Sequence, residues 1–345
     1  MVAELHPGRD LRVLVLSNMY PGPGAPEWGI FVAEQVRSLR EWINVRVVAK
    51  RSRSAIAYLP FFLRSATAGL TSGWDLIHAH YGFHSALIPV CLGRHPLVVT
   101  FHGSDALIEP RRRRLYARLQ RQVVREADCL IAVSEEVRAR LIEELGADPA
   151  KLVHLPCGTD TVHFRPEEQG AARARLGMAA NEKVVLFVGR LSHAKGVDLL
   201  RAAAEELRAV RFHFLGGGDL RWEAENCRFL GPRPHREIVD WLNAADLLVL
   251  PSLSEGTPVT VLEALATETP VVCSRVGACP DLVVEGKTGL LVEPGDAAGL
   301  VRALRAGLFE TRFEPVPGRE LIKREYDLGV TARRLVAIYR EVVRG

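Results

Sequence analysis

The sequence has little of several features that mark specialised classes of protein. Only six of the 45 Lys and Arg residues are lysine, and the net charge at pH 7 is +4. So small a positive excess gives no reason to expect nucleic acid as a partner. We attribute the preference for arginine to genomic or thermal bias and not to function.

Cysteine pairs are also missing. The six cysteines are scattered along the chain without a C-x-x-C pair, which argues against a zinc ribbon, a redox motif or a disulfide framework. Several of them lie in apolar, strand-like runs, which is typical of buried free thiols.

Long apolar runs are absent as well. The longest notable one, residues 56–63, is far shorter than the ~20 residues that a membrane-spanning helix needs. The first ten residues, M-V-A-E-L-H-P-G-R-D, carry no signal-peptide pattern. We therefore expect a cytoplasmic protein, with peripheral contact to the inner face of the membrane as an additional possibility.

What the chain does contain is an alternation of short apolar strands and helical patterns. A strand over residues 11–16 opens a first α/β unit, and a strand over residues 183–188 opens a second one after the linker H-F-R-P-E-E-Q-G. With 345 residues and 48% hydrophobic content, two domains of ordinary size are expected. The pattern predicts parallel sheets that bind ligands at the carboxyl ends of their strands.

The stretch L-P-S-L-S-E-G-T-P-V-T-V-L-E-A-L-A-T, residues 250–267, organises the second unit. It predicts a strand end, a tight loop and a helix, with Thr257 as the N-cap and Pro258 as the first helical residue. The free N–H groups that follow Gly256 then form a site for phosphate.

Two carboxylates frame this helix start, with seven residues between them. Glu255 lies in the loop and Glu263 inside the helix. Carboxylates beside an anion site suit a ligand that also carries hydroxyls, so Glu255 is predicted to bind sugar hydroxyls and Glu263 a ribose. The alternative is an ordinary capped helix with one surface glutamate.

Two cations follow the first strand of the second unit, in the loop G-R-L-S-H-A-K-G. The loop is not a P-loop, because G-x-x-x-x-G-K-[ST] is absent. Arg190 and Lys195 can both reach one diphosphate and stabilise a leaving nucleoside diphosphate; surface salt bridges are the alternative. Leu230 ends the short strand R-F-L-G, whose following loop, P-R-P-H, is predicted to face the nucleotide base.

Two positions stand out in the first unit. Gly29, in a Pro/Gly-rich loop after the first strand, lets the backbone approach a phosphate closely, unless the loop is a plain connection. His102, in F-H-G-S-D at a strand end, can bind a sugar hydroxyl or an acceptor oxygen, or be a satisfied loop histidine. H-A-H with His84 suggests a metal site, which we disfavour because no carboxylate has matching spacing.

Two surface segments leave alternatives open. Residues 56–70 form an apolar segment flanked by arginines 51, 53 and 64, which is either a core helix or a surface for membrane or a lipid-linked acceptor. Further along, arginines recur at helical spacing, so they share one face. That face is either solvated or in contact with an anionic membrane; its residues are Arg111, Arg114, Arg118, Arg121 and Arg125.

Taken together, these motifs resemble those of retaining GT-B-fold glycosyltransferases of family four. E-G-T-P-V-T-V-L-E-A-L is similar to the family's E-x7-E element, and V-G-R-L…K-G, H-G-S-D and the first loop follow the family's pattern in order. Two matches are imperfect. In P-C-G-T-D, Cys157 replaces the usual asparagine, and G-A-C-P-D over residues 277–281 replaces G-G-I-P-E.

The resemblance implies an α/β protein of the GT-B fold, with two doubly wound Rossmann-like domains facing a cleft. Residues 1–163 would form the acceptor-side domain and residues 164–325 the nucleotide-sugar-binding domain. Residues 326–345 would form a C-terminal helix that packs back on the first domain.

The resemblance also implies transfer of a hexose with retention of configuration and without a divalent metal. The absence of a D-x-D pair is consistent with metal independence. We expect no cofactor; the donor would be a nucleoside-diphosphate sugar, UDP or GDP, and the acceptor a glycan or lipid-linked glycan of the exopolysaccharide or teichuronic-acid type. The alternatives are a same-fold sugar-nucleotide epimerase or phosphorylase, and a non-catalytic sugar-nucleotide-binding subunit.

The expected roles fall on two sets of residues. The catalytic set is His102, Glu255, Arg190 and Lys195. The nucleotide-sugar-binding set is Gly29, Arg190, Lys195, Gly256, Thr257, Pro258, Glu263 and Leu230. No metal ligand is predicted, and membrane contact is assigned to Arg111, Arg114, Arg118 and Arg121.

Overall fold

The structure is a computed structural model that describes residues 11–23, 25–71, 73–108 and 114–345. It divides into two compact units. The first contains the residues up to Cys157 and again Leu328–Gly345, and the second is Gly158–Asp327. The unit boundaries therefore lie after residues 157 and 327, whereas the sequence placed them after residues 163 and 325.

The first unit is built on a parallel sheet of six strands in the order β2-β1-β3-β4-β5-β6. Strands β3, β4 and β5 are buried along their whole length, which explains why their residues are mostly apolar. The strands are β1 (Arg12–Ser17), β2 (Asn44–Ala49), β3 (Leu76–His80), β4 (Leu97–Phe101), β5 (Cys129–Ala132) and β6 (Leu152–His154).

Six α-helices accompany this sheet among the described residues. The last of them comes from the C-terminal end of the chain and packs against the first, so the predicted return of the C-terminal helix to the first domain is confirmed. They are α1 (Ile30–Leu39), α2 (Tyr58–Gly69), α3 (Gly82–Leu92), α4 (Arg114–Glu126), α5 (Glu135–Glu143) and, numbered last in chain order, α13 (Leu328–Arg344).

The second unit has its own parallel six-stranded sheet, in the order β12-β11-β10-β7-β8-β9. Its central strands are apolar and buried, as a doubly wound sheet requires. The strands are β7 (Lys183–Val188), β8 (Val210–Leu215), β9 (Cys227–Gly231), β10 (Leu247–Leu250), β11 (Val271–Ser274) and β12 (Gly289–Val292).

Seven helices are described in the second unit. They are α6 (Gln169–Leu176), α7 (Val197–Glu206), α8 (Ile238–Ala244), α9 (Val259–Ala266), α10 (Cys279–Leu282), α11 (Ala297–Phe309) and α12 (Val316–Leu321). The predicted two doubly wound α/β domains are thus confirmed.

Helix α2 settles one of the alternatives that the sequence left open. Phe61 is fully buried, but Leu59 and Leu63 are 67% and 60% exposed. The segment is therefore an amphipathic helix whose inner face packs on the core and whose outer face is exposed, so each alternative holds for one face. No helix among the described residues is both long and apolar enough to span a bilayer.

Candidate functional site

In the second unit, the strand order reverses between β7 and β10, the position where doubly wound sheets bind ligands. The loop after β7 carries Lys195, and the loop after β10 carries Glu255. Their side chains meet, with Lys195 Nζ 2.6 Å from Glu255 Oε1. The pair is partly shielded from water, since the side chains are 31% and 9% exposed.

Close backbone packing fixes the distance between these two loops. Gly196 has φ +65°, and a Cβ atom there would lie 1.9 Å from the carbonyl oxygen of Pro251. Only glycine fits both the left-handed conformation and the contact. On the other side of the loop, the backbone N–H of Ala278 donates to the carbonyl oxygen of Gly256 at 2.9 Å. The segment G-A-C-P-D thus supports the Glu255 loop despite its departure from the family's sequence.

The start of α9 differs from the sequence prediction. Pro258 is the N-cap, in an extended conformation, and the helix begins at Val259 without a side-chain cap. Thr257 therefore does not act as the N-cap. Pro258 itself has the extended conformation of an N-cap residue, and its carbonyl accepts the first helical bond, from Val261 N–H. The N–H groups of the first turn still point out of the helix start, beside Glu255.

Glu263 lies inside α9 and is 2% exposed. Its Oε1 atom is 2.6 Å from Nε2 of His235, which follows β9 in the loop P-R-P-H. The ring of His235 packs against Phe164, with centroids 5.2 Å apart. The sequence identified this loop but not the pairing, because nothing in the spacing of residues 235 and 263 predicts that they meet.

The other predicted residues of the second unit are placed separately. Arg190 is exposed at the end of β7, and among the described residues its side chain forms no hydrogen bond or ion pair. Leu230 is half-buried in the edge strand β9. Among the described residues, the structure therefore joins Lys195 to Glu255 and Glu263 to His235, whereas the Arg190 side chain forms no hydrogen bond or ion pair with either pair.

In the first unit, His102 follows β4, and a buried aspartate fixes its backbone. The N–H groups of His102 and Gly103 donate to Oδ1 of Asp105 at 2.9 and 3.1 Å. Oδ2 of the same carboxylate accepts from Gly82 N–H at 3.1 Å. The aspartate of H-G-S-D is therefore a positioning residue, to which the sequence gave no role.

The ring of His102 is held from several sides. Its Nε2 atom is 3.0 Å from Nδ1 of His80, and its Nδ1 atom is 3.9 Å from Sγ of Cys157. The rings of Phe31 and Tyr81 lie 4.8 and 5.0 Å from it, centroid to centroid. Cys157, where the family has asparagine, thus contacts the predicted catalytic histidine.

Another buried histidine, His78, belongs to the same network as His80 and His102. His78 Nδ1 is 2.6 Å from the hydroxyl of Tyr339, and His78 Nε2 is 2.7 Å from the hydroxyl of Thr100. Burial lowers the pKa of His78 and of His102 well below the usual 6.5 and lowers the pKa of His80 to about 3. All three rings are therefore neutral at pH 7. The sequence missed this network because Tyr339 lies on the C-terminal helix.

The first loop reaches the same histidine. Gly29 has φ 71° and is the N-cap of α1; a Cβ there would lie 2.6 Å from the Met19 carbonyl group. Phe31, two residues later, touches His102. Tyr81, between β3 and α3, also has a positive φ of 70°, a conformation that costs about 1–3 kcal/mol in a non-glycine residue. Such strain is typical of functional sites.

The arginine face of α4 is only partly described, because Arg111 lies outside the described residues. Arg114 and Arg118 are exposed, and Arg121 donates to the Glu144 carbonyl oxygen at 3.3 Å. In residues 11–23, 25–71, 73–108 and 114–345, no three His, Cys, Asp or Glu side chains are placed to hold a metal ion. His84 contacts Tyr58 and Tyr116 instead.

Two family models match the chain and cover both units. The model described as Glycosyltransferase Family 4 matches residues 1–163, and the one described as Glycosyl transferases group 1 matches residues 182–308. The first match covers the N-terminal part of the first unit and ends six residues into the second, and the second match lies within the second unit.

Curated proteins are similar to the chain as well. The putative teichuronic acid biosynthesis glycosyltransferase TuaC of Bacillus subtilis is 31% identical over 97% of this chain and 99% of its own. A D-inositol 3-phosphate glycosyltransferase of Nocardia farcinica is 35% identical over 71% of this chain. The chain covers only 61% of the length of that relative.

A solved structure supports the fold. Anabaena HepE, crystallised with UDP-glucose, superposes with a TM-score of 0.78 over 96% of this chain and 100% of its own, at 20% identity. At that identity the likeness concerns the fold alone. From the family models, the full-length relative and the two doubly wound units, the chain belongs to glycosyltransferase family 4 and has the GT-B fold.

Proposed function

We propose that the protein transfers a hexose from a nucleoside-diphosphate sugar to a glycan or lipid-linked acceptor in cell-surface polysaccharide synthesis. The observation that carries this proposal is the 2.6 Å contact between Lys195 Nζ and Glu255 Oε1 at the switch point of the second sheet. The pair offers a cation for a diphosphate and a carboxylate for sugar hydroxyls. A sugar nucleotide carries both a diphosphate and sugar hydroxyls.

Donor binding changes the partners of this pair. A diphosphate against Lys195 competes with Glu255 for the ammonium group, so the carboxylate becomes available to the hydroxyls of the donor sugar. Charge-assisted hydrogen bonds of this kind contribute about 1.5–3 kcal/mol each. Arg190, exposed at the mouth of the same loop, adds a second cation, and the two charges stabilise the diphosphate as it leaves. Glu263, oriented by His235, binds the ribose.

The acceptor side is assigned to the first unit. His102 is neutral at pH 7, because burial lowers its pKa, so it acts on a sugar hydroxyl through a hydrogen bond and not as a fixed positive charge. The transfer retains the anomeric configuration and uses no divalent metal. The TuaC relative supports a cell-surface glycan acceptor. UDP is the first nucleotide to test, because HepE, which shares the fold, was crystallised with UDP-glucose. Membrane contact through α4 stays a prediction.

A thermal-shift series tests the donor site first. UDP, GDP, ADP and dTDP are added in EDTA to the wild type and to the Arg190→Ala and Lys195→Ala variants. A ligand at about one hundred times its Kd stabilises the protein by ~2.7 kcal/mol. We expect one nucleotide to shift the wild type strongly and both variants weakly.

The matching sugar nucleotide is then incubated with and without acceptor glycans, and the anomeric configuration of the product is read by proton NMR. Transfer with retention in EDTA is the expected result. Isomerised or free sugar without an acceptor would point to an epimerase or a hydrolytic enzyme. No shift with any nucleotide, with or without magnesium, would point to a non-catalytic subunit.

A further inference from the structure

A groove of about 470 Å³ runs between the edge strand β2 and helix α2 of the first unit. Its charged lining is Arg46 on the strand, Arg51 just after it and Arg64 on the helix. No acidic side chain lines it. Nothing in the proposed reaction uses this groove, although its Arg51 packs against Tyr20 in the loop that leads to Gly29.

Backbone carbonyl groups and aromatic rings, and not carboxylates, are the described partners that hold the three arginines in place. Arg64 donates from Nη2 to the Ala49 carbonyl oxygen at 3.3 Å and from Nε to Pro60. Arg51 lies over the ring of Tyr20, and Arg46 lies 6.0 Å from the ring centroid of Trp74.

Within the described ranges, none of these three arginines forms an ion pair with a carboxylate. Arg53, just outside the groove, is different, because it pairs with Glu27 at 2.7 Å. A guanidinium group has five N–H donors and takes phosphate oxygens in a bidentate manner. The groove therefore has the donors and the charge for a phosphate group, and these donors are largely unused.

An apolar ridge lies beside the groove on the same segment. It consists of Ile56, Leu59 and Leu63, which are 85%, 67% and 60% exposed. Their spacing of three and four residues places them on one side of the segment, while Phe61 and Ser65 face the core. Large aliphatic side chains grouped in this way on a surface mark contact with an apolar partner.

We propose that the arginine groove and the apolar ridge together form a docking site for an anionic phospholipid surface. The phosphate groups of the lipids occupy the groove, and the ridge enters the boundary between headgroups and acyl chains. The ridge favours a membrane lipid over a soluble phosphate as the ligand of the groove. A soluble phosphate would bind the arginines but leave the apolar side chains of the ridge in water.

The α4 face is less suited to this role. Arg121 already bonds the Glu144 carbonyl oxygen, and Arg125 pairs with Glu126 at 3.2 Å. Leu115 is the one large hydrophobic side chain described on α4 that is strongly exposed, at 69%. Membrane contact through α2 requires neither the donor nor the transfer reaction.

Flotation of the full chain with phosphatidylcholine vesicles, with or without phosphatidylglycerol, tests the proposal. Three variants are compared with the wild type. The groove variant carries Arg46→Gln, Arg51→Gln and Arg64→Gln; the ridge variant carries Leu59→Ser and Leu63→Ser; the control carries Arg114→Gln, Arg118→Gln and Arg121→Gln. The control removes the same charge from α4, and circular dichroism checks that every variant folds.

We expect binding only to the anionic vesicles. Each arginine near an anionic surface contributes about fivefold in affinity, so the groove variant should bind roughly a hundredfold more weakly. The ridge variant should lose about tenfold, and the control should stay within a few-fold of wild type. All variants should keep the thermal shift given by the donor nucleotide, which separates this proposal from that of the transferase.

Three results would overturn the proposal. The first is equal loss in the groove variant and the control, which would indicate attraction by net charge alone. The second is loss confined to the control, which would move the contact to α4. The third is no binding of the wild type to anionic vesicles; a stabilisation by inorganic phosphate at matched ionic strength, absent in the groove variant, would then assign the groove to a soluble phosphate.

Discussion

Nδ1 of His80 and Nε2 of His102 lie 3.0 Å apart, so a single proton is shared between two neutral rings. His80 is completely buried, whereas His102 is half-buried. The tautomers of the two rings are therefore linked, because one nitrogen of the pair must donate and the other must accept. His102 presents its other nitrogen, Nδ1, toward Cys157. His80 is in this way a positioning residue for the predicted catalytic histidine.

Replacing His80 should separate catalysis from donor binding. We expect His80→Ala to lower kcat about tenfold to a hundredfold, which corresponds to ~1.4–2.8 kcal/mol, because His102 is no longer oriented. His80→Asn, which can place a polar atom near the position of Nδ1, should recover part of the loss. Steady-state kinetics with the preferred donor give the measurement, and the KM for the donor should change little. Equal activity of the Ala and Asn variants would contradict the role.

The phosphate role of Lys195 predicts a selective loss of affinity. Lys195→Ala should weaken binding of the nucleoside diphosphate by about tenfold to a hundredfold, since one charge-assisted bond contributes about 1.5–3 kcal/mol. Binding of the nucleoside without phosphate should be nearly unchanged. Lys183→Ala is the matched control, because Lys183 pairs with Asp246 at the opposite end of β7. Isothermal titration measures both ligands; a similar loss for nucleoside and diphosphate would exclude the phosphate role.

The ribose role of Glu263 can be tested with a modified ligand. Wild type should prefer UDP, or whichever diphosphate it binds, over the 2′-deoxy or 3′-deoxy form by about tenfold, as one hydrogen bond to a charged group predicts. In Glu263→Gln this preference should largely disappear. In His235→Ala, which removes the partner of Glu263 at 2.6 Å, it should be reduced. A preference that survives in both variants would place the ribose elsewhere.

The fold was predictable because its signals are local. Buried parallel strands such as β5 and β7 are almost entirely apolar, and the loops after them carry glycine and polar residues. Lys195 and Glu255 could be placed near each other because each follows the carboxyl end of a strand, and β7 and β10 are neighbours in the second sheet. His102 could be placed in the same way at the end of β4 in the first sheet. The assignment of Thr257 as N-cap failed because Pro258 is itself extended, so the helix begins one residue later, at Val259.

The parts of the site that the sequence did not predict depend on contacts between residues far apart in the chain. His235 meets Glu263 from a different loop, and Tyr339 reaches His78 from the C-terminal helix. Neither pairing has a periodicity or spacing that marks it. The exposed face of α2 was also ambiguous, because an apolar helix has the same composition whether it is enclosed or lies at a surface.

Gly29 gives a prediction for stability and activity together. A Cβ atom at this position would meet the Met19 carbonyl at 2.6 Å, and φ is 71°. Gly29→Ala should therefore lower the free energy of unfolding by about 1–3 kcal/mol and displace Phe31 from His102. Gly73→Ala is the control, because nothing lies within 4 Å of its added methyl group. Urea unfolding of both variants measures the difference, and equal stabilities would show that the loop can relax.

The buried histidines predict a dependence of stability on pH. In the folded protein the pKa of His80 is about 3 instead of 6.5, because burial disfavours the charged ring. Between these values the unfolded chain binds more protons, so stability is full above pH 6.5 and falls as the pH is lowered. At pH 5, His80 alone should account for a loss of about 2 kcal/mol relative to pH 7. Urea unfolding at both pH values, in the wild type and His80→Asn, measures this loss. It should be about 2 kcal/mol smaller in the variant, and an equal loss in both proteins would mean that His80 is not the group that resists protonation.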